Sequence, residues 1–441
     1  MIAPRYNKKK KYHNQHHTLY FIKMKNILIV ITNQYPYGTS ETFLETESHF
    51  WSAFDQVILC PLFGCPSQAI REVNIDKRKL SLVPPPLSIS MGQKILGACS
   101  LLFQKCFWKE IPVLLRKSHN VLSSFKELVS FSFIPRVVSR NLITKTNSLI
   151  PANSNIVIYS YWLHYEASVA THFKKKHPSS FAVSRCHGFD LYEERHKGYI
   201  PYREHFLKHL DRIYCISEDG KTYLNNRFPQ YKNKVLVSFL GTSSSGYSPH
   251  QRISNTIRIV SCSHCVPVKR VDLIINALSG LSSPAATIEW THFGGGPLLN
   301  ELQQLASKTL PRNVISHFVG HVENKEILSA YKNGNFDVFV NVSSSEGIPV
   351  SIMEAMSYGI PTIATDVGGT SEIVESGING FLLDKDFSAD ALCQLLLAFL
   401  EMPDERYSGF SKNAYCTWEK KYNAQKNYRS FINDILSTSQ E

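Results

Sequence analysis

The sequence predicts an α/β protein of two domains, each built on a parallel sheet with helices on both faces. Its 441 residues are enough for two domains of roughly 200 residues each. In both halves of the chain, short apolar runs alternate with helical patterns, an order typical of parallel sheets. Residues 241–250 combine Gly, Ser and Pro and form the clearest linker in the chain.

The first half contains seven predicted strands and one long helical region. The strands lie at 27–32, 57–60, 80–83, 156–161, from 181 onward, 212–216 and 235–238. Residues 87–148 show a basic helical pattern with aromatic residues between the charges. We expect most of these aromatics to pack in the core and some to form an amphipathic surface for membrane contact.

The second half repeats the alternation of strands and helices. Its predicted strands lie at 257–262, 286–290, 314–318, 336–341 and 362–365. The final stretch, residues 414–436, has a helical pattern and carries several aromatic residues.

The first 23 residues differ from the rest of the chain in composition. They hold four consecutive lysines at 8–11 and the histidines His13, His16 and His17. No apolar segment of the kind a secretory signal needs follows the lysines quickly enough. Met24 directly precedes the first predicted strand, so a disordered basic tail and a start codon upstream of the real one both remain open. We expect solvated histidines here rather than metal ligands.

The positive charge is concentrated in the first third of the chain. Residues 1–150 hold 20 Lys and Arg against 8 Asp and Glu, which accounts for the whole formal net charge of +12. A basic surface favours an anionic partner such as membrane headgroups, a lipid-linked phosphate or nucleic acid, and a merely solvated basic face is the alternative. No apolar run reaches about 18 residues, so we expect no transmembrane helix.

Cysteine usage favours a reducing compartment. Ten cysteines in a chain of this length do not form a disulfide framework. Cys262 and Cys265 form a single CxxC pair with no second pair nearby, which argues against a closed zinc site.

The most informative segment joins the strand at 336–341 to a helix that we expect from residue 350. It places Glu346 in the loop and Glu354 in the helix, and Pro349 suits the first helical turn because its missing N–H would be unpaired there. Ligands of open α/β sheets bind outside the carboxyl ends of strands, and the N–H groups of a helix start suit a diphosphate. Each carboxylate accepts several hydrogen bonds, which suits sugar hydroxyls.

Residues 346–374 read Glu-Gly-Ile-Pro-Val-Ser-Ile-Met-Glu-Ala-Met-Ser-Tyr-Gly-Ile-Pro-Thr-Ile-Ala-Thr-Asp-Val-Gly-Gly-Thr-Ser-Glu-Ile-Val. This stretch resembles the donor-binding signature of family 4 retaining glycosyltransferases of the bacterial surface-polysaccharide type, which have the two-domain GT-B fold. Two glutamates at this spacing are a weak signal alone, and the surrounding residues make it specific. The alternative is a solvated helix face for Glu354 and an ordinary loop acid for Glu346.

The resemblance covers residues 24–436 and implies two Rossmann-like domains that face each other across a cleft. After the extension at 1–23, it implies an acceptor-binding domain at 24–245 and a nucleotide-sugar-binding domain at 246–410. A C-terminal helix at 411–441 would cross back onto the first domain.

The same resemblance implies roles for residues of the donor loop. Glu346 would orient the donor sugar and Glu354 would hold the ribose hydroxyls. Gly347, Ile348 and Pro349 would complete the donor-binding loop.

A basic segment follows the first strand of the second domain. A lysine meets a diphosphate as a point charge, and an arginine binds it bidentately. In the resembled family an Arg and, five residues later, a Lys neutralise the donor diphosphate. Lys269 matches the Lys, whereas His264 occupies the position of the Arg, so Arg270 is the candidate replacement. A surface lysine without function is the alternative for Lys269.

Three glycines are candidates for close approach of the backbone to the donor. Gly294 and Gly295 follow a strand end and match the nucleotide-side glycine loop of the resembled family. Gly38 follows the first strand and is assigned to donor binding as well.

His187 follows the strand that begins at residue 181 and resembles the family's histidine at the sugar site, across the cleft from Glu346. A lone histidine is more often structural, but here a strand end, a glycine and an aspartate coincide. Asp190 and Arg185 are secondary candidates, and Asp190 has the alternative role of holding the loop.

The function implied is retaining transfer of a hexose from a nucleotide diphosphate sugar to a hydroxyl acceptor, with Glu346, His187 and Lys269 as catalytic residues. The acceptor implied is a lipid-linked glycan in capsular, exopolysaccharide or lipopolysaccharide O-antigen synthesis. The protein would be cytoplasmic and peripheral at the inner face of the plasma membrane, attached through its N-terminal domain to anionic lipid.

The resembled family needs no metal, so we expect no metal and no other cofactor, and the only Asp-x-Asp, at 384–386, lies well past the donor motif. A sugar-nucleotide epimerase on the same fold is the nearest alternative. A basic nucleic-acid-binding protein is a second one, but it leaves the neutral second domain unexplained. The sequence leaves open the sugar, the nucleotide base, the acceptor, the linkage and the oligomeric state.

Overall fold

Two parallel sheets organise the chain, as the sequence predicts. The computed structural model describes residues 24–38, 40–64, 69–85, 92, 97, 101, 103–281 and 286–440. The expected extension at 1–23 and most of residues 87–102 lie outside the described residues. The α/β fold class is confirmed, and it is that of the GT-B proteins.

The first sheet has seven parallel strands in the order β3-β2-β1-β4-β5-β6-β7. The strands are β1 (Lys25–Thr32), β2 (Gln56–Pro61), β3 (Leu80–Leu82), β4 (Ser154–Ser160), β5 (Phe181–Cys186), β6 (Arg212–Cys215) and β7 (Val235–Val237). The helices are α1 (Phe43–Ser48), α2 (Lys105–Lys117), α3 (Val121–Asn147), α4 (Tyr165–Lys176), α5 (Gly188–Leu191), α6 (Arg203–His209) and α7 (Glu218–Arg227). All seven predicted strands are confirmed.

The helical region predicted at 87–148 is interrupted in the described residues. The side chain of Asn120 accepts a hydrogen bond from the Ser123 N–H at 3.1 Å and caps α3. An N-cap residue leaves the helical conformation, so the chain changes direction between α2 and α3.

The second sheet has six parallel strands in the order β10-β9-β8-β11-β12-β13. They are β8 (Thr256–Cys262), β9 (Thr287–Phe293), β10 (Val314–Gly320), β11 (Val338–Asn341), β12 (Thr362–Thr365) and β13 (Gly380–Leu383). The helices are α8 (Val271–Ser279), α9 (Leu299–Thr309), α10 (Asn324–Asn333), α11 (Val350–Met356), α12 (Ala389–Leu400), α13 (Asp404–Lys421) and α14 (Ala424–Thr438). The edge strand β13 was not predicted. It has only four residues and begins with Gly380, so its side chains show no clear periodicity.

The C-terminal segment serves both domains. Helix α13 buries Tyr407 and Phe410 in the core of the second domain, whereas α14 buries Phe431 and Ile435 against the first sheet. The chain therefore crosses at 422–423, later than the expected residue 411. None of the helices in the described part of the chain combines the length and apolarity that crossing a bilayer requires.

The interdomain linker and this C-terminal crossing run side by side. The Thr242 N–H donates to the Tyr422 carbonyl at 3.0 Å, and the Ala424 N–H donates to the Thr242 carbonyl at 3.1 Å. A Cβ on Gly241 would lie 2.4 Å from the Ala424 Cα, so only glycine allows the two segments to approach this closely. The two connections between the domains thus form one hydrogen-bonded hinge.

A buried ion pair joins β5 to the helices behind the first sheet. Arg185 Nη1 lies 2.6 Å from Glu47 Oε2, and both side chains are 0% exposed. The guanidinium carbon also lies 4.2 Å from the centre of the Phe431 ring in α14. Arg185, a secondary candidate for the site, therefore packs below the cleft instead of lining it.

We predict that Arg185→Met destabilises the protein by about 3–5 kcal/mol, because it leaves the Glu47 carboxylate buried without its partner. Urea unfolding followed by circular dichroism measures the loss. The double variant Arg185→Met/Glu47→Leu removes both charges and should recover much of it. A single variant as stable as the wild type would contradict the assignment.

Candidate functional site

The two domains meet at a pair of glycines in the cleft. A Cβ on Gly188 would lie 2.9 Å from the Gly347 Cα, and a Cβ on Gly347 would lie 2.9 Å from the Gly188 nitrogen. Neither position accommodates a side chain without movement of backbone. Since His187 and Glu346 directly precede these glycines, the structure brings both predicted residues to one point between the domains.

Glu346 forms an ion pair with Lys269 at the end of β11. Lys269 Nζ lies 2.6 Å from Glu346 Oε1, and Asn341 Nδ2 donates to the same oxygen at 3.4 Å. Asn341 also accepts the Ser343 N–H at 3.1 Å through its side-chain oxygen, which shapes the loop. Lys269 keeps two further N–H donors, since an ammonium has three.

The remainder of the donor loop contributes backbone. The side chains of Ile348 and Pro349 are buried, so only main-chain groups of these residues are available to a ligand. Val350 is the first helical residue, as predicted, and Pro349 is the N-cap that precedes the first turn. The Gly347 carbonyl accepts the Gly369 N–H at 2.8 Å, which supports the loop from the neighbouring strand end.

Glu354 lies in α11, beyond its first turn. Its Oε1 accepts a hydrogen bond from Asn324 Nδ2 at 2.7 Å. Burial of the carboxyl raises its pKa to about 7. The carboxyl is therefore partly protonated at neutral pH, and hydroxyl donors would favour its ionised form.

The glycine loop after β9 packs against the loop after β8. Gly294 has φ +138°, and a Cβ there would lie 1.9 Å from the Ser263 carbonyl oxygen. His264 Nδ1 lies 3.2 Å from the Gly295 carbonyl oxygen, and the His264 side chain is exposed. The structure therefore gives these glycines a packing role between two strand ends.

Arg270 is engaged with backbone carbonyls, so it is not free to replace the family's arginine, whose position His264 occupies. Its Nε and Nη1 donate to the carbonyls of Val342 and Lys385, each at 2.7 Å, and its Nη2 donates to that of Ser343 at 3.2 Å. With φ +49° the residue turns its guanidinium toward these carbonyls. Its role is to hold the end of β11, which corrects the expectation from sequence.

His187 lies buried between aromatic rings, with both ring nitrogens unpartnered among the described residues. Its ring centre is 4.6 Å from that of Tyr161 and 4.5 Å from that of Trp162. Burial holds the pKa of His187 well below its usual value, so the ring is neutral. A neutral imidazole with free nitrogens suits a hydrogen bond to a sugar hydroxyl.

Asp190 holds the loop that carries His187. Its two carboxylate oxygens accept the N–H groups of His187 and Leu163, each at 2.6 Å. This is the alternative role considered for it. Gly38, with φ +64°, lies in the loop after β1, where a Cβ would come within 2.7 Å of Gln34 Oε1.

Sequence reasoning missed Arg195. This exposed residue of the first domain donates from Nη2 to the Ser345 hydroxyl of the second domain at 2.7 Å. Its Nη1 lies 3.1 Å from the position of a Cβ on Gly188. A loop arginine has no periodic signal, so only the folded arrangement shows that it reaches the donor loop.

One group of side chains has atoms close enough for a metal ion. The ligand atoms of Glu127, His164 and His196 all lie within 4.8 Å of one another. His196 Nε2 lies 2.8 Å from the Phe189 carbonyl oxygen, and its Nδ1 lies 3.3 Å from Glu127 Oε1. Burial lowers the pKa of His196, the Glu127 hydrogen bond raises it, and the net shift is upward.

Residues 248–417 match the sequence model of the family described as "Glycosyl transferases group 1". The second domain carries this match. It contains the Lys269–Glu346 pair, Glu354 and the glycine loop, so the residues predicted for donor binding lie within the matched segment, except Gly38.

Curated relatives of the chain include glycosyltransferases, one of them named for colanic acid biosynthesis. It is 26% identical over 246 residues to "Putative colanic acid biosynthesis glycosyltransferase WcaL" of Escherichia coli (strain K12), covering 54% of this chain and 60% of the relative. It is 28% identical over 196 residues to D-rhamnosyltransferase WbpZ of Pseudomonas aeruginosa, covering 42% of this chain and 49% of the relative. The chain thus spans about half the length of these curated relatives.

Solved structures share the fold over nearly the whole chain. A glycosyltransferase from Rickettsia africae ESF-5 aligns with TM-score 0.62 and 14% identity, covering 95% of this chain and 99% of that one. Anabaena Alr3699/HepE in complex with UDP aligns with TM-score 0.59 and 15% identity, covering 94% and 100%.

We predict that Glu354→Gln stabilises the protein at pH 8 and leaves its stability at pH 4 unchanged. The folded pKa lies above the unfolded one, so the wild type binds an extra proton when folded and loses stability as the pH rises from about 4.5 to 7. The glutamine removes that loss, and the thermal midpoint at pH 8 should rise by about 2–4 °C. Glu326→Gln, an exposed glutamate of α10, is the control.

Proposed function

We propose that this protein is a retaining glycosyltransferase of family 4 that transfers a hexose from a nucleotide diphosphate sugar to a hydroxyl acceptor. The observation that supports it most is the meeting of His187, with its free ring nitrogens, and the Lys269–Glu346 pair at the Gly188–Gly347 contact. An acid, a cation and a neutral imidazole at one point suit a sugar joined to a diphosphate.

The comparisons support the same class of substrate. Anabaena Alr3699/HepE, solved with UDP and glucose, shares the fold with TM-score 0.57 and 16% identity. The relatives WcaL and "O-antigen biosynthesis glycosyltransferase WbnH" carry names from surface-polysaccharide synthesis. We therefore propose a lipid-linked glycan of such a pathway as the acceptor.

In the proposed reaction the leaving diphosphate gathers negative charge as the glycosidic bond breaks. Lys269 would neutralise part of that charge through the N–H groups that Glu346 does not use. Glu346 would accept hydrogen bonds from hydroxyls of the donor sugar, and Glu354 from the ribose. His187 would bind a sugar hydroxyl from the opposite domain.

Arg195 is the proposed source of the second positive charge. The family's arginine is replaced by His264, and Arg270 is engaged with three carbonyls. Arg195 reaches the donor loop from the other domain and keeps donors beyond its bond to Ser345. A cation contributed across the cleft would also make transfer depend on how the domains are closed.

We predict that a screen of nucleotide sugars, by donor hydrolysis and transfer to membrane lipid extract, identifies one donor. Lys269→Ala should lower kcat/KM for it by about 10²–10³-fold, because the charge on the diphosphate loses its partner. Glu354→Ala should abolish donor binding in calorimetry while circular dichroism stays normal. Lys308→Ala, an exposed lysine of α9, should change nothing.

Epimerisation of the nucleotide sugar without release of nucleotide would contradict transfer and favour the epimerase alternative. Unchanged nucleotide affinity of a folded Glu354→Ala variant would show that the ribose lies elsewhere.

We propose that the reaction requires no metal, with Lys269 supplying the charge that a divalent ion supplies in other enzymes. Transfer should survive dialysis against excess EDTA, measured with the donor found in the screen. Loss of transfer that Mn²⁺ or Mg²⁺ restores would contradict this role of Lys269. Restoration by Zn²⁺ instead would point to Glu127, His164 and His196.

We further propose that the first domain docks on an anionic membrane surface on the cytoplasmic side. The region around α2 and the start of α3 exposes large apolar side chains, two of them, Phe103 and Leu122, to 88% and 69%. Three exposed lysines lie among them, Lys105, Lys109 and Lys126. Apolar side chains surrounded by lysines are typical of surfaces that insert shallowly among anionic headgroups.

We predict that the protein sediments with anionic liposomes at low salt and is released at high salt, because screening shortens the attraction. Replacing Lys105, Lys109 and Lys126 by glutamine should weaken binding about 100-fold, since each lysine contributes about 1 kcal/mol. The matched control replaces three exposed lysines of the second domain, Lys308, Lys332 and Lys412. Equal binding to neutral and anionic liposomes would contradict the electrostatic attraction.

A further inference from the structure

A cavity lies in the first domain, beside the proposed donor site. It has a volume of about 200 Å³ and opens at the carboxyl ends of β1 and β4. Its lining includes Asn33, Glu41, Trp162, His164, Glu166 and Phe189. These residues come from three separate segments of the chain, so the cavity is a product of the fold and has no sequence motif.

Two buried polar atoms that line this cavity have no hydrogen-bond partner among the described residues. They are Glu166 Oε2 and His164 Nε2. Glu166 is 1% exposed, and its other oxygen accepts a bond from Asn33 Nδ2 at 2.9 Å. Unsatisfied buried polar atoms are rare in proteins, and two in one cavity indicate a ligand that supplies hydroxyl groups.

Glu166 differs from its neighbour Glu41 in its hydrogen bonds. Glu41 accepts four N–H donors, from the backbone of Asn33, Gln34 and Tyr35 and from the Trp162 indole. The Oε2 atom of Glu166 has no such donor among the described residues and is therefore left for a ligand hydroxyl.

The walls of the cavity suit a carbohydrate ring. Trp162 and Phe189, the latter 55% exposed, present aromatic faces, against which the C–H faces of a pyranose pack. Among the described residues that line it there is no lysine or arginine, and Glu41 is an acid. A uronic acid or a phosphate would therefore bind poorly, and a neutral ring would bind well.

The cavity adjoins the proposed donor sugar. The Trp162 ring that lines it lies 4.5 Å, centre to centre, from the ring of His187. A sugar held in the cavity would therefore stand next to the sugar that His187 contacts.

We propose that this cavity binds one neutral pyranose ring of the acceptor, with the side chains of Glu166 and His164 hydrogen-bonded to two of its hydroxyls. The proposal rests on the proposed glycosyl transfer and names the acceptor's terminal sugar as uncharged. Glu166 and His164 are binding residues for the acceptor and take no part in donor recognition.

Fluorine NMR of protein labelled with 5-fluorotryptophan tests this without knowledge of the natural acceptor. The probes are methyl pyranosides of glucose, galactose, mannose and N-acetylglucosamine, with methyl glucuronide as the charged control. Trp162→Phe assigns the Trp162 resonance, and EDTA-treated protein removes any metal from Glu127, His164 and His196. We expect at least one neutral pyranoside to shift the Trp162 resonance saturably and the glucuronide to leave it unchanged.

Two variants distinguish the hydrogen bonding of Glu166 from its contribution to packing. Glu166→Gln keeps an acceptor for Asn33 and a hydrogen-bonding group for the ligand, so pyranoside affinity should stay within about threefold of wild type. Glu166→Leu loses both groups and should weaken affinity about tenfold. Thermal unfolding establishes that both variants fold, and the conservative Gln variant keeps the test valid if the Leu variant does not.

Absence of any pyranoside-dependent shift, or an equal shift in a folded Glu166→Leu variant, would overturn the proposal. So would tighter binding of the glucuronide than of its neutral counterparts. Nucleotide binding, measured by calorimetry on the same samples, distinguishes failure of this proposal from failure of the proposed function. Intact nucleotide binding without a pyranoside response rejects this cavity alone, whereas a protein that binds neither rejects the proposed function itself.

Discussion

Every contact across the cleft depends on the hinge at which the chain passes twice between the domains. Two backbone hydrogen bonds of Thr242 join the linker to the segment from Tyr422 to Ala424. These two bonds hold the linker and the C-terminal segment side by side. A flexible linker alone would fix the relative position of the domains less closely. The carboxyl ends of both sheets consequently face each other, and Gly188 can approach Gly347.

Behind the cleft, the same C-terminal segment supports the strand that leads to His187. Helix α14 places Phe431 over the guanidinium of Arg185, whose partner is the buried Glu47. Arg185 lies in β5, two residues before His187. Removing either charge would leave the other buried alone, so the pair restricts how β5 can shift. The segment that connects the domains thereby also helps to position His187 at the cleft.

The sequence predicted what depends on local pattern and missed what depends on orientation. Twelve of the thirteen strands were predicted because apolar runs mark them, and Glu346, Lys269 and His187 were found because each follows a strand end. The direction of Arg270 could not be predicted, since its left-handed backbone turns it toward carbonyls. Arg195 and Glu166 gain their surroundings only when distant segments pack together.

Several buried polar atoms on the cleft side of the first domain lack a hydrogen-bond partner. Within the described part of the chain they include atoms of Tyr161, His164, Glu166 and His187, and all four residues follow β4 or β5. An unpaired buried polar atom costs free energy, and a ligand with hydroxyl groups would offset that cost. On the opposite side, burial raises the pKa of Glu354. A hydroxyl-rich ligand suits both sides, because each hydroxyl both donates and accepts.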